Sequence, residues 1–192
     1  MDKASRSGWL LKIVLEVVLI SLGVFLALMA EQWRERARDR ELAEASLRGF
    51  RSEILRNRKA VEGVKDYHAG LLKELRAYFA ADPKKRTAEN IQIRGLQPVF
   101  FEQTAWDLAL ATQALAHIDP DLALGLSRAY GLQRTYLGMT GGIMQAIYLR
   151  PMEENFEGLT SYYGDIVLWE PQLLQMYDEL VPQIDRALGE RR

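Results

Sequence analysis

His68 and His117 are the two histidines, and each would need a neighbour to do acid–base or metal chemistry. Neither stands in the E-x-x-H spacing that carboxylate-bridged di-iron bundles use, so a metal centre is not expected. Ser161 in Ser161-Tyr162-Tyr163 offers a hydroxyl, but neither histidine is spaced to suggest a base for it. Gly138-Met-Thr-Gly141-Gly142 is glycine-rich without the lysine or the strand–loop–helix setting of a phosphate loop, and reads as a bend. Glu153-Glu154 and Asp119-x-Asp121 are paired acids of the kind that end helices in water. With no cysteine there is no thiolate nucleophile, no disulfide and no thiolate metal site. The expectation is a chain without catalytic residues and without a cofactor.

The one titratable group in unusual company is Glu16. From Ile13 to Ala30 the chain runs 18 residues with Glu16 as the sole ionisable side chain. At helical rise that is about 27 Å, close to the ~30 Å hydrocarbon core of a bilayer. Trp9 and Trp33 bracket the run as interface anchors. The stretch is longer than the roughly 7–15 apolar residues of a cleaved signal peptide, and it passes directly into RERARDRELAEA. An uncleaved single-pass signal anchor follows, and the lipid bilayer is its first expected partner.

Glu16, Ile20, Gly23, Ala27 and Ala30 step by four and three and so share one helix face. Gly23 and Ala27 form a small-xxx-small pair, which lets another backbone approach closely in lipid. Glu16 either bonds a polar group on a partner membrane helix, since intramembrane carboxylates are costly and usually paired, or sits near the headgroups beside Lys12 and binds no other chain. The expected partner, beyond lipid, is a membrane protein met through this face.

Glu16, Gly23, Ala27-Leu28 and Trp33 match the spacing E-x6-G-x3-A-L-x4-W. In this the chain resembles a widespread family of bacterial single-span membrane proteins that carry a domain of unknown function, with anchors much like EIVLVVIGILIALQINNW. The similarity extends to TAWDLALATQALAHIDPDLALGLSRAYGLQ, residues 104–133. Met29, Ala30 and Glu31 depart from the amides and apolar residues common there. The resemblance implies a bacterial inner-membrane setting and a shape, and no activity.

Lys3, Arg6 and Lys12 with Asp2 precede the span; Arg34, Arg36, Arg38, Arg40 and Arg48 follow it, interleaved with acids. Counting Lys and Arg alone leans toward a cytoplasmic C-terminal domain, whereas a short net-positive tail is the mark of an anchor whose N-terminus stays inside. The short net-positive tail makes the expected placement N-terminus inside and domain in the periplasm.

The organisation expected is a tail over 1–8, the anchor over 9–33, a charged helical stalk over 34–46 and a helical bundle over 47–192. Leu47, Phe50, Ile54, Asn57, Val61, Val64, His68, Leu71, Leu75 and Tyr78 alternate steps of three and four without a break. This is the seam of a helix packed nearly parallel or antiparallel to others, and Asp82-Pro83 should end it. Asn57 and His68 interrupt the seam. They would either line a pocket or set register, or lie at its edge bonded to backbone or water; the edge is the expectation.

Further on, Thr104 and Asp107 suggest a capping box opening a helix to Ala116. Asp119-Pro120 should start another, running toward Arg150-Pro151 with a bend or break at Gly138 to Gly142. Glu170-Pro171 should begin the last helix, kinked at Pro182. IQIRGLQPVFF could hold a short strand. The fold class is therefore all-α, an N-terminal transmembrane helix continuing into a long helix packed in an antiparallel bundle.

A net charge of −1 with no clustered basic face excludes an electrostatic footprint for nucleic acid. The function class that fits is a noncatalytic membrane-anchored interaction protein, an accessory or scaffolding subunit. The alternative is a sensor-like periplasmic bundle holding a small molecule between helices. A tethered hydrolase has no constellation to support it.

Overall fold

The computed structural model describes residues 3–87, 91–149 and 152–190, with side chains from Leu15 onward and those of Met152, Glu153 and Glu190 excepted. The side chain of Trp9 and the paired acid Glu153 thus lie outside the described residues. Among the described residues the secondary structure is helical throughout. Four α-helices follow in order: α1 (Lys3–Ala80), α2 (Thr104–Ala111), α3 (Pro120–Leu149) and α4 (Phe156–Glu190). Short 3-10 turns lie at Pro83–Lys85, Ala114–His117 and Met152–Asn155. The chain forms two compact units, Met1–Leu42 and Ala43–Arg192.

In the first unit, every described side chain from Leu15 to Arg38 is exposed, the apolar ones included. This stretch is long and apolar enough to cross a membrane and lies near the N-terminus.

The second unit begins with Ala43, which is fully buried. Leu47, Phe50, Ile54, Val61, Leu71 and Leu75 are buried too, while Val64 and Tyr78 are half-buried. α4 runs antiparallel to α1: Arg51 pairs with Asp185 at 2.6 Å, Arg58 with Asp178 at 2.7 Å, and Tyr78 meets Phe156 edge-on. It also runs antiparallel to α3, with Gly125 close to Leu180 and Thr140 bonded to Tyr162. A Cβ at Gly125 would stand 3.0 Å from Leu180 Cδ2, so α3 and α4 approach closely there and a larger residue would require the Leu180 side chain to give way. α1 ends at Ala80, where Arg86 donates to the carbonyls of Phe79 and Ala81, partners the last turn of a helix otherwise lacks.

Several helix ends differ from the sequence expectation. Asp119 does cap α3, accepting from the N–H groups of Asp121 and Leu122. α3 then continues to Leu149 through Gly138, Gly141 and Gly142 without a break. The Thr104/Asp107 capping box does not form; Gln103 is the N-cap residue and makes no side-chain cap bond. α2 stops at Ala111, because Gln113 turns left-handed at φ 59°. Glu170-Pro171 does not start a helix. α4 begins at Phe156 and carries Pro171 and Pro182 in its interior, and the Glu170 side chain is turned into the core rather than toward its own backbone. The IQIRGLQPVFF segment is no strand: its residues have no ladder partner, and Gly95 and Gln97 turn to positive φ, 86° and 45°.

Candidate functional site

The polar chemistry of the second unit is internal. His68 lies on the inward stripe of α1 and Glu170 on the inward face of α4, and both are buried. His68 Nδ1 is 2.6 Å from Glu170 Oε1, and Nε2 is 3.0 Å from the carbonyl oxygen of Gln97. That carbonyl can only accept, so Nε2 carries a hydrogen. One proton is then shared between Nδ1 and the carboxylate, whose Oε1 also accepts from the Tyr136 hydroxyl at 3.2 Å. The rings of Tyr67 and Tyr163 pack on the imidazole at 5.8 and 5.3 Å. Both ring nitrogens are committed, so the arrangement pins α1 to α4 and to the segment before α2.

Asn57 and His68 are therefore not at the seam edge. Asn57 is 1% exposed and reads one residue twice, donating to the Glu102 carbonyl at 2.8 Å and accepting from the Glu102 N–H at 2.9 Å. The seam turns inward at Asn57 and His68 because α4, α3 and the segment at 91–103 supply the groups that cover and bond them.

A second buried carboxylate, Glu53, accepts from the Tyr130 hydroxyl at 2.6 Å and from the N–H of Ala105 at 2.8 Å. It supplies from α1 the cap that α2 lacks in its own sequence. Gln133 donates to the Tyr177 hydroxyl at 2.8 Å, while its Oε1 is buried without a partner. Burial drives the phenol pKa values of Tyr130, Tyr136, Tyr163 and Tyr177 well above the ordinary value near 10; bonding to Glu53 adds to the rise at Tyr130 and the charge of Glu170 to that at Tyr136. Tyr162 shifts the same way for the same first cause, opposed by its bond with Thr140. Tyr130 and Tyr136 are core residues, whereas Tyr148 is exposed.

Residues 91–103 form a strap lying antiparallel along α1. Glu102 meets Asn57, Gln97 meets His68, Gly95 and Arg94 meet Tyr67, and Gln92 meets Glu74. Ile91, Val99 and Phe101 are buried beneath it, with Phe101 edge-on to Tyr136 at 5.2 Å. Arg56 pairs with Glu102 at 2.6 Å and holds its carboxyl below the usual carboxylate range by hydrogen bonding. Among the described residues no group of three or more His, Asp or Glu side chains is placed to hold a metal ion.

In the first unit Glu16, Ile20, Ala27, Ala30 and Trp33 are all exposed, and a Cβ placed on Gly23 would meet nothing within 4 Å. That face is open, as are the faces beside it.

Local sequence did not pair up the polar core, because its partners are far apart in the chain: 102 residues for His68 and Glu170, 77 for Glu53 and Tyr130. The one available hint was that Asn57 and His68 occupy inward seam positions, where a polar side chain must find a partner.

No family model, no curated protein and no solved structure matches the chain.

Proposed function

We propose that this chain is a noncatalytic interaction protein of a bacterial inner membrane, an accessory or scaffolding subunit anchored by α1 with its bundle in the periplasm. The observation that carries the reading is the segment from Leu15 to Trp33. It exposes Leu19, Ile20, Phe25 and Leu28 by more than half, on every side, with no partner among the described residues. An apolar surface of that kind needs lipid or another helix around it. The charge distribution of the N-terminal tail supports an inward N-terminus. Glu16, with Gly23 and Ala27 on its face, then serves as a hydrogen-bonding contact to a partner helix in lipid.

The test is affinity purification of the full chain in mild detergent with mass spectrometry, with reporter fusions after Arg192 to fix topology. A stoichiometric membrane partner is expected. Glu16→Leu and Gly23→Leu should each reduce its recovery, one by removing a polar contact of about 0.6–2 kcal/mol and the other by blocking close approach. Leu19→Ala, off that face, should matter less. Unchanged recovery in both variants would make the span a tether only.

A further inference from the structure

Glycines cluster in α3 where no contact asks for them. Gly125 lies against Leu180, but a Cβ at Gly138, Gly141 or Gly142 would meet nothing within 4 Å. Each of the three weakens the helix relative to alanine, because glycine gives up more backbone freedom when it is fixed. Two threonines loosen the same stretch. Thr135 Oγ1 donates to the carbonyl of Gly131 at 3.2 Å and Thr140 Oγ1 to that of Tyr136 at 3.0 Å, bonds to the preceding turn that tend to bend a helix.

Tight packing of α3 ends at the same place. Leu126, Ala129, Tyr130, Gln133 and Tyr136 are buried and fix the first part of the helix in the bundle. Ile143, which lies against Gly158, is the last buried residue of α3. From Met144 to Leu149 every side chain is half-buried or exposed, Tyr148 by 83% and Leu149 by 74%. An open cleft of about 400 Å³ runs between this tail and Asn155. Weak helix propensity with little buried surface beyond it marks a part of a fold that opens by itself. Thr140 stands at the boundary. It bonds to the Tyr162 hydroxyl at 3.0 Å, and Tyr136, one turn earlier, bonds to Glu170 and through it meets His68.

We infer that Gly138–Gly142 is a hinge, and that α3 beyond it is a lid over the Thr140–Tyr162 end of the buried polar network, with a second, outward arrangement. The glycines absorb the change in φ and ψ, as hinge residues do. Beyond the hinge, Ile143 is the one buried side chain of α3 that leaves the core, so the movement withdraws little apolar surface. In the outward arrangement the Tyr162 hydroxyl exchanges Thr140 for water, and the network gains a route to solvent at that end. Gly63, an equally open glycine of α1, stands alone between the buried Val61 and His68 and makes no hinge.

The chain has no cysteine, so spin labels can be placed singly at Tyr148→Cys and Gln172→Cys, both exposed, in the full chain in detergent micelles. Distances between the two labels, measured by pulsed electron resonance, should fall into two populations. Gly138→Ala, Gly141→Ala and Gly142→Ala each add a methyl group to open space, and each should lower the outward population about fourfold. The triple variant should show the closed distance alone, while Gly63→Ala should leave the distribution unchanged. A single narrow distance with the three glycines in place would overturn the inference, as would two populations that persist in the triple variant. Should the triple variant fail to melt cooperatively, the single replacements decide by the same criterion.

Discussion

Residues 15–38 and residues 43–80 belong to one helix and obey opposite rules. In the first stretch the apolar side chains from Leu15 to Ala30 face outward on all sides, and Glu16, the lone ionisable group among those residues, is exposed with them. In the second a single stripe is buried, and three polar residues, Glu53, Asn57 and His68, are buried inside that stripe. Backbone geometry is the same in both, so the difference lies in what surrounds the side chains. A helix that is apolar all round is suited to a surrounding without water; one with a narrow apolar stripe is suited to water on its other faces. The second stretch can bury polar atoms because α3, α4 and the strap supply partners for them, which lipid would not.

The largest expected separation between the two stretches is in alkali. Tyr130, Tyr136, Tyr162, Tyr163 and Tyr177 have phenol pKa values raised by burial. Below pH ~10 folded and unfolded chains both keep these protons and nothing is lost. Above it the unfolded chain releases protons that the fold retains, so stability falls by up to about 1.4 kcal/mol per pH unit for each such tyrosine. Circular dichroism should show the bundle unfolding cooperatively above pH ~10, with tyrosinate absorbance rising in the same transition, while the tyrosine-free stretch 15–38 stays helical in micelles. Phenols that titrate freely in a still-folded bundle would break the comparison.

Core truncation comes next. Ile54→Ala or Leu71→Ala removes a buried side chain from the stripe and should destabilise the bundle by about 2–5 kcal/mol in denaturant titration. The smallest effect belongs to the exposed stretch: Arg38→Ala should shift the same titration by no more than about 0.5 kcal/mol. Equal shifts at Ile54 and Arg38 would mean that the stripe is not the seat of stability.

The seam and the apolar run were legible in the sequence because both are periodic signals carried by many residues, and the Asp119-Pro120 start because its cap lies within three residues. The polar core was not, since it depends on pairs far apart in the chain, as with His68 and Glu170. Glu170-Pro171 misled for a related reason: an acid before proline has the form of a cap, and only the approach of His68 and Tyr136 draws that carboxylate inward. IQIRGLQPVFF, with little periodicity, was open to a short strand, yet its main chain finds side chains of α1 and α4 instead of a ladder, a choice set by tertiary position.

The Glu53 cap on α2 has a bearing on the order in which the molecule is assembled. Eight residues are too few to hold a helix in water unaided, and the group that bonds the Ala105 N–H lies 52 residues earlier in the chain. Glu53 also accepts from the Tyr130 hydroxyl of α3. α2 is accordingly expected to form late, after α1, α3 and α4 have begun to associate, and φ-values near zero at Ala105 and Trp106 would show it. Substitutions at Ala105 or Trp106 then act chiefly on how long the folded bundle lasts, and little on how fast it forms.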